Sequence, residues 1–162
     1  MLRRALSLCL IGGLCGILLV GTYIFTAEPI RLNREANARA LAAQMLGAPI
    51  PADINIENPI YGSCANWLFQ HITTNGYAGD IGWLVLWERE KNTMTIRVTD
   101  HRETPGIGDF IDHTRDQWIT KNDGMEPLAH ANIDNVSGAT VTTNALRAAA
   151  TAASVNFKRF CE

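Results

Sequence analysis

The residues best suited to chemistry lie late in the chain, in Asp134-Asn-Val-Ser137-Gly138-Ala139-Thr140. Ser137, Gly138 and Ala139 are small, so the backbone can turn tightly there and come close to another group. Val141 and Thr142 follow directly, and Thr142–Phe160 reads as an Ala-rich helix. A helix N-terminus presents free N–H groups and partial positive charge, which suits a phosphate. A threonine hydroxyl at that point can lie against a phosphate or be esterified by one. The same residues suit an ordinary strand-to-helix turn, with Thr142 or Thr143 as the cap, and local chemistry alone leaves both readings open.

Other constellations carry less. Gly106-Ile-Gly108 lacks the third glycine and the strand–helix setting of a dinucleotide fingerprint. His101, Asp109, Asp112, His113 and Asp116 fit no compact metal-ligand spacing and read as a solvated polar face. Ser63 and Ser137 stand outside any Gly-x-Ser-x-Gly elbow, so a hydrolase triad has no support. Trp67, Trp83, Trp87 and Trp118 read as core residues, one of which can lie near a cofactor. Of the four cysteines, Cys9 and Cys15 fall in an apolar run and Cys64 and Cys161 outside it; there is no Cys-x-x-Cys. Cys64 and Cys161 can pair as one structural disulfide on an oxidising face of a membrane, or stay two separate buried thiols.

Asp-x-x-Ser-Gly-Ala-Thr resembles the flavinylation motif of the FMN-binding domain family. That family includes the G subunit of the Rnf electron-transport complex and the C subunit of the sodium-pumping NADH:quinone reductase. Two further stretches match in order. Gly76-Tyr77-Ala78-Gly79-Asp80-Ile81 is similar to the family's Gly-Tyr-Gly-Gly-Pro-Ile, with Ala78 and Asp80 as departures. His101-Arg102-Glu103-Thr104-Pro105-Gly106-Ile107-Gly108-Asp109 is similar to the His-His-Glu-Thr-Pro-Gly-Leu-Gly-Asp of the Rnf member. The resemblance implies FMN held covalently, as a phosphoester to Thr140 made by a separate flavin transferase from FAD. It also implies that Asp134, Ser137, Gly138, Ala139, Val141 and Thr142 surround the attachment. In the second loop Pro105 fixes φ, Gly106 and Gly108 allow close approach to a flat ring, and Glu103 and Thr104 can meet the flavin. Gly76 and Tyr77 complete the expected set, and no residue is assigned a catalytic or metal-binding role.

These residues need elements to position them. Ile81–Trp87 reads as a buried strand and Met94–Thr99 as an alternating one, joined by a turn at Lys91-Asn92. Phe110–Thr120 reads as a helix or an irregular cover, Asn122-Asp-Gly124 as a turn, and Ile133–Val136 as a short strand. The expected class is α+β: an antiparallel sheet flanked by helices, behind one transmembrane helix.

That helix is expected over residues 5–27, after a tail at residues 1–4. No charge falls between Arg4 and Glu28, and a helix of that length spans roughly the 30 Å hydrocarbon core. A cleaved signal peptide is the alternative. Phe25 before Thr26-Ala27 argues against it, because cleavage needs a small residue there. Residues 28–60 are expected to hold a helix opened by Pro29 and a Pro-rich linker, with the FMN-binding domain at residues 61–162. Arg3 and Arg4 precede the span and Arg31, Arg34 and Arg39 follow it, so charge does not fix its direction. The resemblance implies a cytoplasmic tail and a domain on the periplasmic, extracytoplasmic face of the inner membrane.

Net charge is -2 over 162 residues, without a basic block, which argues against a nucleic-acid partner. The resulting expectation is an electron-transfer subunit of an ion-translocating ferredoxin–NAD oxidoreductase of the Rnf type, working beside other membrane subunits and not a catalyst alone. The alternatives are an FMN carrier of another membrane reductase, or a cofactor-free tethered scaffold.

Overall fold

The computed structural model describes residues 2–56 and 58–162, with side chains from Cys9 onward. The chain forms two compact units, one ending at Asn37 and one running Ala38–Glu162. The architecture is α+β, as the sequence implied, with one helix long and apolar enough to cross a membrane.

Helix α1 runs Leu2–Leu46 without interruption. The expected fresh start at Pro29 does not occur, because Pro29 sits inside the helix. A proline there leaves the carbonyl one turn earlier without its usual N–H partner. The Arg-, Ala- and Leu-rich segment that follows is a good helix former and carries the helix on. Thr22 and Thr26 bond back to the carbonyls of Leu18 at 3.0 Å and Thr22 at 2.7 Å. Between Leu10 and Phe25 the large apolar side chains are exposed. Gly47, at φ +70°, follows the last turn, where a left-handed residue ends a helix at little steric cost.

The second unit is built on a four-stranded antiparallel meander. β1 is Ile60–Ser63, β2 Trp67–Asn75, β3 Asp80–Glu88 and β4 Thr93–Asp100, in spatial order β1-β2-β3-β4. The expected hairpin is β3–β4, in the register Glu88↔Thr93 to Gly82↔Asp100, with an irregularity at Gly82/Trp83. Asn92 turns it at φ 50°. The sequence reading names no strand in Ile60–Asn75, yet β2 pairs with β3 along its whole length, from Trp67↔Glu88 to Asn75↔Asp80.

Both faces of the sheet are covered, which is why β3 reads as a continuous apolar run rather than an alternation. Ile81, Trp83 and Val85 join Leu68, Met94, Ile96 and Val98 on the face that meets the long C-terminal helix. Leu84 and Leu86 join Tyr61 and Phe69 on the other face, under Ala42, Ile50 and Ile56. Ile50 and Ile56 thus anchor the loop that follows α1 onto this face of the sheet. Burial pushes the Tyr61 phenol well above its ordinary value, although Arg39 nearby pulls it down.

Pro127–His130 forms a short helix, α2, and Thr140–Cys161 forms α3. Ala145, Ala149, Ala150 and Ala153 are buried on α3, and such small side chains let the helix lie close to the sheet. Thr74 accepts the Trp83 indole N–H at 2.7 Å and donates to the Ala145 carbonyl at 3.2 Å, so that buried polar groups are paired. Phe157 stacks on Trp87 at 5.7 Å, and a disulfide joins Cys161 to Cys64, with Cα atoms 5.6 Å apart.

One expectation needs correction, and one open alternative resolves. Ile133–Val136 is irregular backbone, not a strand; the Arg147 guanidinium takes the Ile133 carbonyl, with Nε at 2.8 Å. Phe110–Thr120 is the irregular cover rather than a helix, with Phe110 set edge-on to Trp118 at 4.7 Å.

Candidate functional site

Three loops meet at one end of the sheet. The first joins β2 to β3 through Gly76-Tyr77-Ala78-Gly79, closed by the Gly76 N–H to the Gly79 carbonyl at 2.8 Å. The second leaves β4 as His101–Asp109. There the Thr104 carbonyl accepts the Ile107 and Gly108 N–H groups at 3.1 and 2.9 Å, a tight turn that needs Gly106 at φ +77°. Asp109 fastens the turn by accepting the Gly106 N–H at 2.7 Å, and Arg115 holds Asp109 at 3.2 Å and Asp112 at 3.4 Å. Burial raises the Asp112 carboxyl, but two hydrogen bonds from Thr114, with His101 and His113 nearby, outweigh it and hold it below its ordinary value. His101 Nδ1 accepts the Glu103 N–H at 3.2 Å.

The third loop is Asp134–Ala139, running into α3. Val136 accepts the Ala139 N–H at 3.0 Å, and Gly138 at φ +80° makes the turn possible. The helix begins at Thr140, two residues before the expected start. Its cap position is Ala139, which offers no side-chain bond, and its first turn has no acidic residue. Neither Thr142 nor Thr143 sits at the cap, contrary to expectation. The Thr143 hydroxyl donates to the Ala139 carbonyl at 3.0 Å and accepts the Val136 N–H at 3.3 Å. The Thr142 hydroxyl donates to Glu103 Oε2, and Glu103 Oε1 accepts the Ala78 N–H at 3.0 Å.

Between the loops lies a cavity of about 330 Å³. Tyr77 lines it from the first loop; Glu103, Thr104, Ile107 and Gly108 from the second; Gly138, Ala139, Thr140, Val141 and Thr142 from the third. Glu103 is buried, whereas Tyr77, Ile107 and Val141 are 75%, 57% and 48% exposed and give the cavity an apolar rim. Thr140 is exposed, while Thr142 and Thr143 are 1% and 0% exposed.

Of the residues singled out in the sequence, Gly76, Pro105, Gly106, Asp134 and Ser137 are in these loops but not on the cavity wall. Gly76 acts from behind, since a Cβ there would strike Glu103 Oε1. Asp134 and Ser137 are exposed. Gly108 lines the wall, as its expected close approach implies, and so does Ile107, to which the sequence assigns no role; its place inside the His101–Asp109 stretch is the available signal.

The arrangement can hold a phosphorylated ligand. The N–H groups of the first turn of α3 have no carbonyl within the helix to bond. They lie beside an exposed hydroxyl and a cavity with apolar walls, so one end suits an anion and the other a flat apolar body.

The model for the FMN-binding domain matches residues 76–154, a range that contains all three loops. The chain is similar to the G component of the ion-translocating oxidoreductase complex of Stutzerimonas stutzeri, 31% identical over 171 residues, covering 88% of this chain and 75% of that protein. The protein of the same name from Haemophilus influenzae is 28% identical over 179 residues, covering 89% of this chain and 84% of its own length. That of Pseudomonas aeruginosa is 29% identical over 180 residues, covering 90% and 83%.

Proposed function

The chain belongs to the FMN-binding domain family that contains the G components of ion-translocating oxidoreductase complexes, and from that premise we propose that it is the membrane-anchored electron-transfer subunit of such a complex, carrying FMN as a phosphoester of Thr140. One observation supports this reading above the rest. Thr140 presents an exposed hydroxyl at the uncapped start of a 22-residue helix, on the wall of the cavity where the three motif stretches converge.

The attachment balances as a phosphoryl transfer. The Thr140 oxygen forms a bond to the FMN-side phosphorus of FAD, the bridging phosphoanhydride bond breaks, AMP leaves, and the hydroxyl proton passes to the flavin transferase. The product gains FMN less one water. Gly138 and Ala139 leave room for that enzyme to reach the hydroxyl, and the first N–H groups of α3 can hold the phosphate. Thr104 and the backbone of its turn can hydrogen-bond the ligand, while Tyr77, Ile107 and Val141 offer apolar contact to the ring. FMN supplies electron transfer when bound; the protein supplies tether, orientation and electrostatics. Rnf-type ferredoxin–NAD chemistry belongs to the assembled complex with its other membrane subunits.

The proposed topology puts the tail before α1 in the cytoplasm and the FMN-binding domain on the outer face of the inner membrane. Reporters fused to the C-terminus read this: a periplasmic reporter is expected to be active, and an active cytoplasmic reporter there overturns it.

Thr140→Val tests the attachment. It keeps the shape and removes the oxygen, so a folded chain without covalent flavin is expected. In-gel flavin fluorescence after denaturation and peptide mass give the answer. Retained adduct in Thr140→Val, or an adduct mapped to Ser137, Thr142 or Thr143 in the unmodified sequence, contradicts it. A colourless native protein, produced beside a competent transferase, favours the cofactor-free scaffold.

A further inference from the structure

Glu103 is the only carboxylate on the cavity wall among the described residues, and it is 4% exposed. It ties two of the loops to the start of α3. Its own loop supplies it, the first loop donates the Ala78 N–H, and α3 donates the Thr142 hydroxyl. Two glycines make way for it. A Cβ on Gly108 would lie 2.7 Å from Glu103 Oε2 and 2.9 Å from its Cβ, and one on Gly76 would strike Oε1.

α3 brings no cap and no acidic first turn of its own, so the carboxylate that faces its first turn arrives from another loop. A negative group is favoured there by the helix dipole. The contact also has a chemical consequence. Thr140 and Thr142 both line the cavity, and both carry a hydroxyl that could accept a phosphoryl group. The Thr142 hydroxyl is committed to Glu103, while Thr140 is exposed and its hydroxyl makes no hydrogen bond among the described residues. Thr143 lies outside the wall and is committed to Ala139.

We infer that Glu103 is a positioning residue for flavin attachment: reaching α3 from a separate loop, it engages the Thr142 hydroxyl and so selects Thr140 as the acceptor. The inference rests on the reading of Thr140 as the attachment point.

The test uses the full chain, produced with a competent flavin transferase, and maps the adduct by peptide mass. Glu103→Ala frees the Thr142 hydroxyl. Glu103→Gln keeps the shape but presents an amide N–H₂ to Thr142, which releases the hydroxyl proton. Losing one hydrogen bond to a charged group relaxes a preference by roughly tenfold to a hundredfold, so a readable minority of adduct is expected on Thr142 in both variants. In the Thr140→Val background, Glu103→Ala is expected to restore an adduct that Thr140→Val lacks, and adding Thr142→Val to remove it again. A merely structural role would lower yield without moving the adduct. Adduct confined to Thr140 at the unmodified rate in both Glu103 variants overturns the inference. If Glu103→Ala fails to fold, the isosteric Gln variant decides. An unmodified chain without any adduct overturns the attachment reading instead.

Discussion

At its C-terminal end α3 is held by the Cys161–Cys64 bridge and by Phe157 stacked on Trp87. At its N-terminal end it is held by hydrogen bonds: Thr142 to Glu103, Val136 to Thr143, and Arg147 to the Ile133 carbonyl. The first end has side-chain partners and basic residues, Lys158 and Arg159, in the last turn, where they suit the dipole. The second leaves its cap position, Ala139, without a side-chain hydrogen bond. A helix optimised for stability alone would carry Ser, Asp or Asn at Ala139. Under the proposed function, the covalent and aromatic anchors at one end leave the other free to keep its N–H groups for the ligand's phosphate.

Breaking the bridge tests this division with the largest expected effect. Cys64 and Cys161 are 97 residues apart, and closing a loop of that length is worth about 4–5 kcal/mol by chain entropy. Cys64→Ser with Cys161→Ser is expected to lower the melting temperature by on the order of 10 °C or more. The folded double variant is still expected to receive flavin on Thr140, because that end of α3 has its own contacts. Calorimetry with adduct mapping checks both parts. A melt within one or two degrees of the unmodified chain, or two alkylatable thiols at these positions in protein from the native compartment, contradicts the structural role of the bridge.

The same contrast explains what is legible in the sequence. The motif end is built from short local patterns: Gly and Ala for close approach, Pro105 and Gly106 for a turn, Thr140 at the end of Ser-Gly-Ala-Thr. Local chemistry of that kind can be read directly, and the hairpin β3–β4 is equally legible through its apolar run and its Lys91-Asn92 turn. Contacts between distant residues cannot be read. The carboxylate that holds the first turn of α3 comes from Glu103, 39 residues away from Thr142, and Ala139 at the cap position makes no capping bond, so the sequence places the helix start at Thr142 instead of Thr140. β2 escapes because Leu68 and Phe69 bury on opposite faces, which erases the alternation a half-exposed strand would show. α1 passes through Pro29 with a run of good helix formers after it, a balance of small propensities that a single residue does not reveal. Cys64 and Cys161 leave two outcomes open, since pairing depends on a distance that only the fold determines.

A smaller substitution sharpens the comparison at the other end. Gly108 and Gly106 lie two residues apart in the same turn, but for different reasons. Gly106 has φ +77° and open space where a Cβ would stand, so Gly106→Ala meets only backbone strain, about 1–2 kcal/mol. Gly108 lacks that left-handed backbone, yet its Cβ would press on Glu103 Oε2 and Cβ at 2.7 and 2.9 Å. Glu103 has little room to yield, because the Ala78 N–H fixes its other oxygen and Gly76 closes the far side. Overpacking of this kind costs about 1–3 kcal/mol. Part of that cost falls on the contact between Glu103 and Thr142, so Gly108→Ala is expected both to melt earlier and to attach flavin more slowly. Thermal melts beside a time course of adduct formation test this. If Gly108→Ala matches the unmodified chain in both, Glu103 has space to move and the N-terminal end of α3 is held more loosely than its contacts imply.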